Sequence, residues 1–91
     1  RLPPDEDKRD APGPIVELLK VLLKIRSEEE KVAARLIANA ADIDSIALDD
    51  DANVPALSGW RRDLFGADAI NLKHGRIGLA TEDGKIKLLR L

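Results

Sequence analysis

The chain has no cysteine, no tyrosine and no methionine, and only two aromatic side chains, Trp60 and Phe65, in 91 residues. Without cysteine there is neither a disulfide nor a thiolate metal site. That composition fits a reducing compartment, and the expected setting is the cytoplasm. No apolar run approaches the roughly 20 residues of a membrane span. The longest, within VELLKVLLKI, is broken by lysines every few positions. No leader segment is recognisable and the chain opens on Arg1, so it reads as a piece of something longer. One small domain is the expectation for this length, large enough for a core but not for an elaborate enzyme.

Catalytic groups are equally scarce. His74 is the sole histidine, placed in the last turn of an expected helix, where an imidazole suits the negative end of the dipole. No Ser-His-Asp or Cys-His set can be assembled, and no glycine-rich phosphate loop is present. Asp42 with Asp44, and Asp63 with Asp68, are wrongly spaced to share a site on a helix. Asp49, Asp50 and Asp51 are consecutive, but a calcium loop alternates its ligands and needs a central glycine and a terminal glutamate. No catalytic or metal-ligating residue is therefore expected in this chain.

Charge is present in quantity but unevenly placed. The net charge is −2, yet residues 59–91 hold 7 basic and 4 acidic groups, whereas residues 15–58 hold 5 and 9. Phosphate neutralisation supplies most of an autonomous nucleic-acid binder's affinity, so a chain basic only in its last third is expected to assist rather than to bind strongly alone.

The pattern predicts a mainly α fold, a small bundle of about four to five helices closed by a C-terminal β-hairpin. Residues 1–13, rich in proline and mixed charge, read as a linker, with the domain over 14–91. Pro14 presets a first helical turn. Residues 15–30, interrupted on one narrow stripe by Glu17, Lys20 and Lys24, predict the central helix. Residues 31–38 predict a second, with Val32, Ala33, Leu36 and Ile37 on one face, and Glu28–Glu30 are read as negative charge before its N-terminus. Asn39 with Asp42 forms a capping-box pattern opening a third helix, whose Ile43, Ile46 and Ala47 face inward. Ser58 is placed to cap a fourth, Gly59 to Lys73, with Gly75 as its stop. Gly66 inside it suggests a close helix–helix approach or a slight break. Asp83-Gly84 is a two-residue hairpin signal; pairing Glu82 with Lys85, Thr81 with Ile86 and Leu79 with Leu88 puts Ile77, Leu79, Ile86 and Leu88 on one face.

Both rings fall in LSGWRRDLFG, residues 57–66, beside the only adjacent arginines. Large rings at helical spacing are usually core, and both Trp60 and Phe65 are expected to be buried. Arg61 and Arg62 lie on the other side, as a solvated face, a salt-bridge pair or phosphate contacts.

Here a resemblance enters. The stretch VPALSGWRRDLFGADAINLKHGRIGLA, preceded by IVELLKVLLKIRSEEEKVAARLIANAADIDSIA, closely resembles the C-terminal part of bacterial ribonuclease D, where such a segment forms a helicase-and-RNase-D C-terminal (HRDC) type domain. The resemblance covers residues 14–91. It implies an HRDC-like fold with a helix-hairpin-helix-like turn before Gly59, and an accessory substrate-binding role in a 3′→5′ exoribonuclease that trims tRNA precursors. It also implies that the family's catalytic carboxylates and their divalent metal ions lie in a separate N-terminal domain, leaving no cofactor here. The implied partners are RNA, bound weakly, and the catalytic domain of the same chain, with no membrane and a monomeric state. Arg61 and Arg62 are the carried-over phosphate contacts, with Lys73 and Arg76 secondary. Two other readings stand beside it, a protein–protein or intramolecular docking module and the HRDC domain of a RecQ-type helicase. The extension beyond residue 66 favours the nuclease.

Overall fold

The computed structural model of the protein describes residues 13–91. The expected linker thus lies outside the described residues, except Gly13, which already belongs to the first helix. In chain order the elements are α1 (Gly13–Glu30), α2 (Ala34–Ile37), α3 (Ala40–Leu48), α4 (Gly59–Arg61), α5 (Ala67–Lys73), β1 (Ile77–Glu82) and β2 (Lys85–Arg90). A 3₁₀ turn, Pro55–Leu57, precedes α4, and a π-helical turn, Arg62–Gly66, joins α4 to α5. This is the small helical bundle with a terminal hairpin that the pattern predicted.

α1 starts with Pro14 in its first turn, where a missing N–H forfeits no helical bond. Val16, Leu19 and Leu22 form its buried face, and it packs against α2, α3, α5 and the π turn. It is central but not enclosed. Leu18 is exposed, and Val21 and Ile25 line an open groove beneath the hairpin tip.

The reading of Glu28–Glu30 is corrected. These residues are the last of α1, at the end where the dipole disfavours negative charge. Arg26 offsets them with contacts to Glu29 at 2.6 Å and Glu30 at 3.5 Å. The helix leaves through Lys31 in the left-handed region (φ 59°), locked by the Ser27 hydroxyl donating to the Val32 carbonyl at 2.6 Å. The second helix is consequently shorter than 31–38. Val32 and Ala33 fall outside it, and Leu36, expected inward, is 52% exposed while Ile37 is buried.

The third helix follows its signal closely. Asp42 N–H donates to Asn39 Oδ1 at 2.8 Å and Asn39 N–H to Asp42 Oδ2 at 3.4 Å, a reciprocal capping box. Ile43, Ile46 and Ala47 are buried, as their spacing requires. Together with Leu19, Leu22, Ile37 and Phe65 they form one continuous core.

Gly66 meets both expectations placed on it. It sits in the π turn, and a Cβ there would collide with the backbone carbonyl of Ala56 in the 3₁₀ turn. Arg26 on α1 donates through Nε to the Leu64 carbonyl of the same turn at 2.8 Å. Helix α5 ends in a Schellman arrangement, with Arg76 N–H on the Asn71 carbonyl at 2.9 Å, Gly75 N–H on that of Leu72 at 3.1 Å, and Gly75 at φ 78°.

The hairpin has the predicted register, Glu82↔Lys85, Thr81↔Ile86 and Leu79↔Leu88. Asp83 (φ 54°) and Gly84 (φ 78°) both adopt the positive φ that a two-residue type I′ turn demands. Burial fades along it: Ile77 is buried, Leu79 and Leu88 are half-buried, and Ile86, expected inward, is 41% exposed at the projecting tip. Its base is held by Leu91 N–H donating to the Arg76 carbonyl at 2.9 Å.

Candidate nucleic-acid interface

The connection between α3 and α4 runs along residues 49–58 and delivers Gly59 in the left-handed region (φ 59°), from which the backbone turns into α4. Ser58 occupies the N-cap position with extended backbone, but its hydroxyl makes no capping bond, contrary to expectation; its carbonyl accepts from Arg62 N–H at 3.4 Å. The three residues that follow are Trp60, Arg61 and Arg62.

Trp60 is 48% exposed, which overturns the expectation that both rings are core. Space under this helix is taken by Phe65, fully buried among Leu19, Leu22, Ile37, Ile43 and Ile46. α4 packs chiefly on the two turns that flank it and stands at the edge of the bundle. Its indole is occupied from one side, because the Arg61 guanidinium lies over the ring at 4.5 Å from the centroid. Arg61 Nε also donates to the Leu36 carbonyl at 2.8 Å, satisfying one of the carbonyls that the end of α2 leaves unpaired. Arg62 is exposed and forms no ion pair or hydrogen bond through its side chain among the described residues.

The secondary candidates sit elsewhere and behave differently. Twelve residues of helix separate Arg61 from Lys73, about 18 Å at 1.5 Å per residue. Lys73 Nζ donates to the Ile46 carbonyl at 2.8 Å and to Asp50 Oδ1 at 2.6 Å, and its side chain is only 14% exposed. Asp50 Oδ2 meets His74 Nε2 at 2.5 Å. The Lys73 hydrogen bond, then that from His74, holds the Asp50 carboxyl below its ordinary range. Arg76 is exposed and donates from Nη1 to Asn71 Oδ1 at 3.0 Å. The four candidates therefore form two groups: Arg61 with Arg62, and Lys73 with Arg76.

Among the described residues no three acidic or histidine side chains gather where they would hold a metal ion. Asp50, the one carboxylate of the Asp49–Asp51 run in a tight cluster, has both oxygens engaged by Lys73 and His74. No helix among the described residues is long and apolar enough to cross a membrane.

Sequence reasoning missed what lies beside Trp60. Arg35 and Leu36 on α2 are both exposed, and Leu36 is bonded to Arg61 through its backbone. A signal for this was available: residues 31–41 and 52–62 together contain four basic residues, Lys31, Arg35, Arg61 and Arg62, and no acidic one. Net charges taken over longer blocks conceal it.

Comparison with known proteins bears on what such a surface serves. The chain is 55% identical over 71 residues to ribonuclease D of Nitrobacter hamburgensis, covering 78% of this chain and 19% of that protein. It is 51% identical over 80 residues to ribonuclease D of Acidiphilium cryptum, covering 88% and 20%. With ribonuclease D of Granulibacter bethesdensis it shares 45% over 89 residues, covering 97% and 22%. No protein-family model and no solved structure matches the chain. The chain spans about one fifth of the length of these curated relatives. It is, over nearly its whole length, a relative of bacterial ribonuclease D, matching a domain-sized part of that protein consistent with a small C-terminal domain.

Proposed function

We propose that this chain is an accessory RNA-contacting domain of a ribonuclease D-like 3′→5′ exoribonuclease acting on tRNA precursors, in a cytoplasmic setting, and that it is not catalytic by itself. Its part would be to hold RNA weakly while a separate domain of the same chain, with its divalent metal ions, performs the cleavage. The observation that carries the reading is Arg62, exposed and without an ion pair among the described residues, one position from a second arginine, in a chain similar to ribonuclease D over most of its length. Lys73 contributes less to it, because Asp50 already matches its charge.

A gel shift against salt, with single-stranded RNA and with a tRNA-like hairpin, tests this. Binding is expected at micromolar or weaker Kd, with a salt slope of roughly 1 for each phosphate-neutralising arginine. With magnesium or manganese the chain is expected to leave the RNA intact. Reproducible cleavage lost on substituting a carboxylate within these residues overturns the accessory assignment.

The docking reading keeps one specific support. Val21, Ile25 and Ile86 line the groove between α1 and the hairpin tip, a surface suited to another part of the same chain. It moves ahead if neither RNA shifts at low salt. The name shared by the relatives above favours the nuclease over the helicase alternative.

A further inference from the structure

We propose that Trp60 is a stacking platform for an unpaired base of single-stranded RNA, with Arg61 as its fixed backing and Arg62 as its phosphate contact. The proposal rests on the RNA reading above and adds to it the kind of RNA and the residue that reads it.

Of the two rings in the chain, one is wholly buried and the other is 48% exposed, although burying an indole is among the larger apolar gains a small domain can make. Leu36 on α2, 52% exposed, is joined through its carbonyl to Arg61, the residue that covers one side of the ring. The ring is nevertheless not loose. Arg61 is pinned through Nε to the Leu36 carbonyl at 2.8 Å, and its guanidinium sits 4.5 Å from the ring centroid. A flat aromatic surface is thus held in one orientation before anything binds, which removes part of the ordering cost of association.

The two stretches that meet at the Arg61–Leu36 bond carry charge of one sign. Residues 31–41 and 52–62, joined by the Arg61–Leu36 bond, carry Lys31, Arg35, Arg61 and Arg62 and no acidic residue. None of the four forms an ion pair among the described residues. Asp63, exposed next to Arg62, and Glu30, exposed next to Lys31 and held by Arg26, are the acids that directly adjoin these basic residues in sequence. An occupant must therefore supply anions and also a planar apolar group at close intervals. A nucleic-acid strand alternates the two. In a duplex both faces of each base are covered by neighbours, so only an unpaired base has a face to offer, and stacking of this kind tolerates any base.

Trp60 is the only tryptophan, so its emission reports on this one position. The test uses the chain with three probes of equal length: an unstructured single-stranded RNA, the same strand with abasic residues, and an RNA duplex. The single strand is expected to quench Trp60 emission. The abasic strand, with the same phosphates, is expected to bind at least about fivefold more weakly without quenching, and the duplex to leave emission unchanged. Trp60→Ala is expected to lower affinity for the single strand by a similar factor while keeping the salt slope, and Trp60→Phe to retain most of the affinity. Arg62→Ala is expected to lower the slope by about 1 and to keep the quenching. Equal binding of the normal and abasic strands by the unaltered chain overturns the stacking role and leaves the RNA reading standing. Full affinity in Trp60→Ala does the same. Failure of every RNA to bind at low salt overturns both.

Discussion

The two ends of the α4–α5 helix both carry a pair of basic side chains, and the fold treats them in opposite ways. At the C-terminal end Lys73 and His74 close on Asp50, and Lys73 also satisfies the Ile46 carbonyl. Those contacts tie α5 to the end of α3 and the residues after it. At the N-terminal end Arg62 reaches solvent, and Arg61 is bonded only to a backbone carbonyl, which leaves its charge uncancelled. Positive charge in a sequence is therefore a poor guide to binding until the position of the nearest carboxylate is known. An ion-paired, part-buried lysine supports the fold, whereas an unpaired arginine on an acid-free stretch is offered outward.

That contrast can be broken by substitution, and the largest expected effect comes from the rings of the same helix. Phe65→Ala is expected to cost about 3–5 kcal/mol, against about 1 kcal/mol for the half-exposed Trp60→Ala, in denaturant melts followed by circular dichroism. Equal losses at both positions would show that the indole is part of the core in solution. Next is Lys73→Ala, which removes a charged hydrogen bond to a carbonyl and is expected to cost about 1–2 kcal/mol. An unchanged melting temperature there would place Lys73 with the outward-facing cations instead.

Acid offers a subtler probe of the C-terminal end. The Asp50 carboxyl is held below its ordinary value of 3.8, so its contribution is complete above that value and fades as pH falls through the lowered one. Melting temperature is expected to decline over that acid range, and Asp50→Asn to flatten that part of the decline. The smallest effect on stability belongs to Arg62→Ala, expected to lie within about 0.5 kcal/mol of the parent. Its consequence should appear in RNA binding alone. A destabilised Arg62→Ala would mean that the two ends of the helix are not so different.

Much of this was legible in the sequence where a local rule acts unopposed. Asn39 and Asp42 name their own cap, Gly75 its Schellman stop, and Asp83-Gly84 the turn and hence the whole register of the hairpin. Patterning failed where a boundary moved. Because α2 begins only at Ala34 and lasts one turn, Leu36 points to solvent although it was read onto the same face as Ile37. Trp60 was misplaced because a helical wheel cannot tell which of two rings the core has room for. The candidate site was legible only in its residue types. That Arg61, lying over its neighbour Trp60, would be anchored at Leu36, and that Lys73 would be matched by Asp50, depends on bonds between residues 23 or more positions apart.

The π turn has a consequence for orientation. Three residues apart on a regular α-helix, Arg62 and Phe65 would share a face, yet one is exposed and the other fully buried. A turn closed over five residues rather than four inserts one position into the wheel, an offset of about 100°. α4 and α5 are therefore one rod along their axis but two differently phased rods around it, with Gly66 allowing the joint to sit against the Ala56 carbonyl. The joint thereby sets the direction in which Trp60 and Arg62 point relative to Ala69 and Leu72, which are buried in the core.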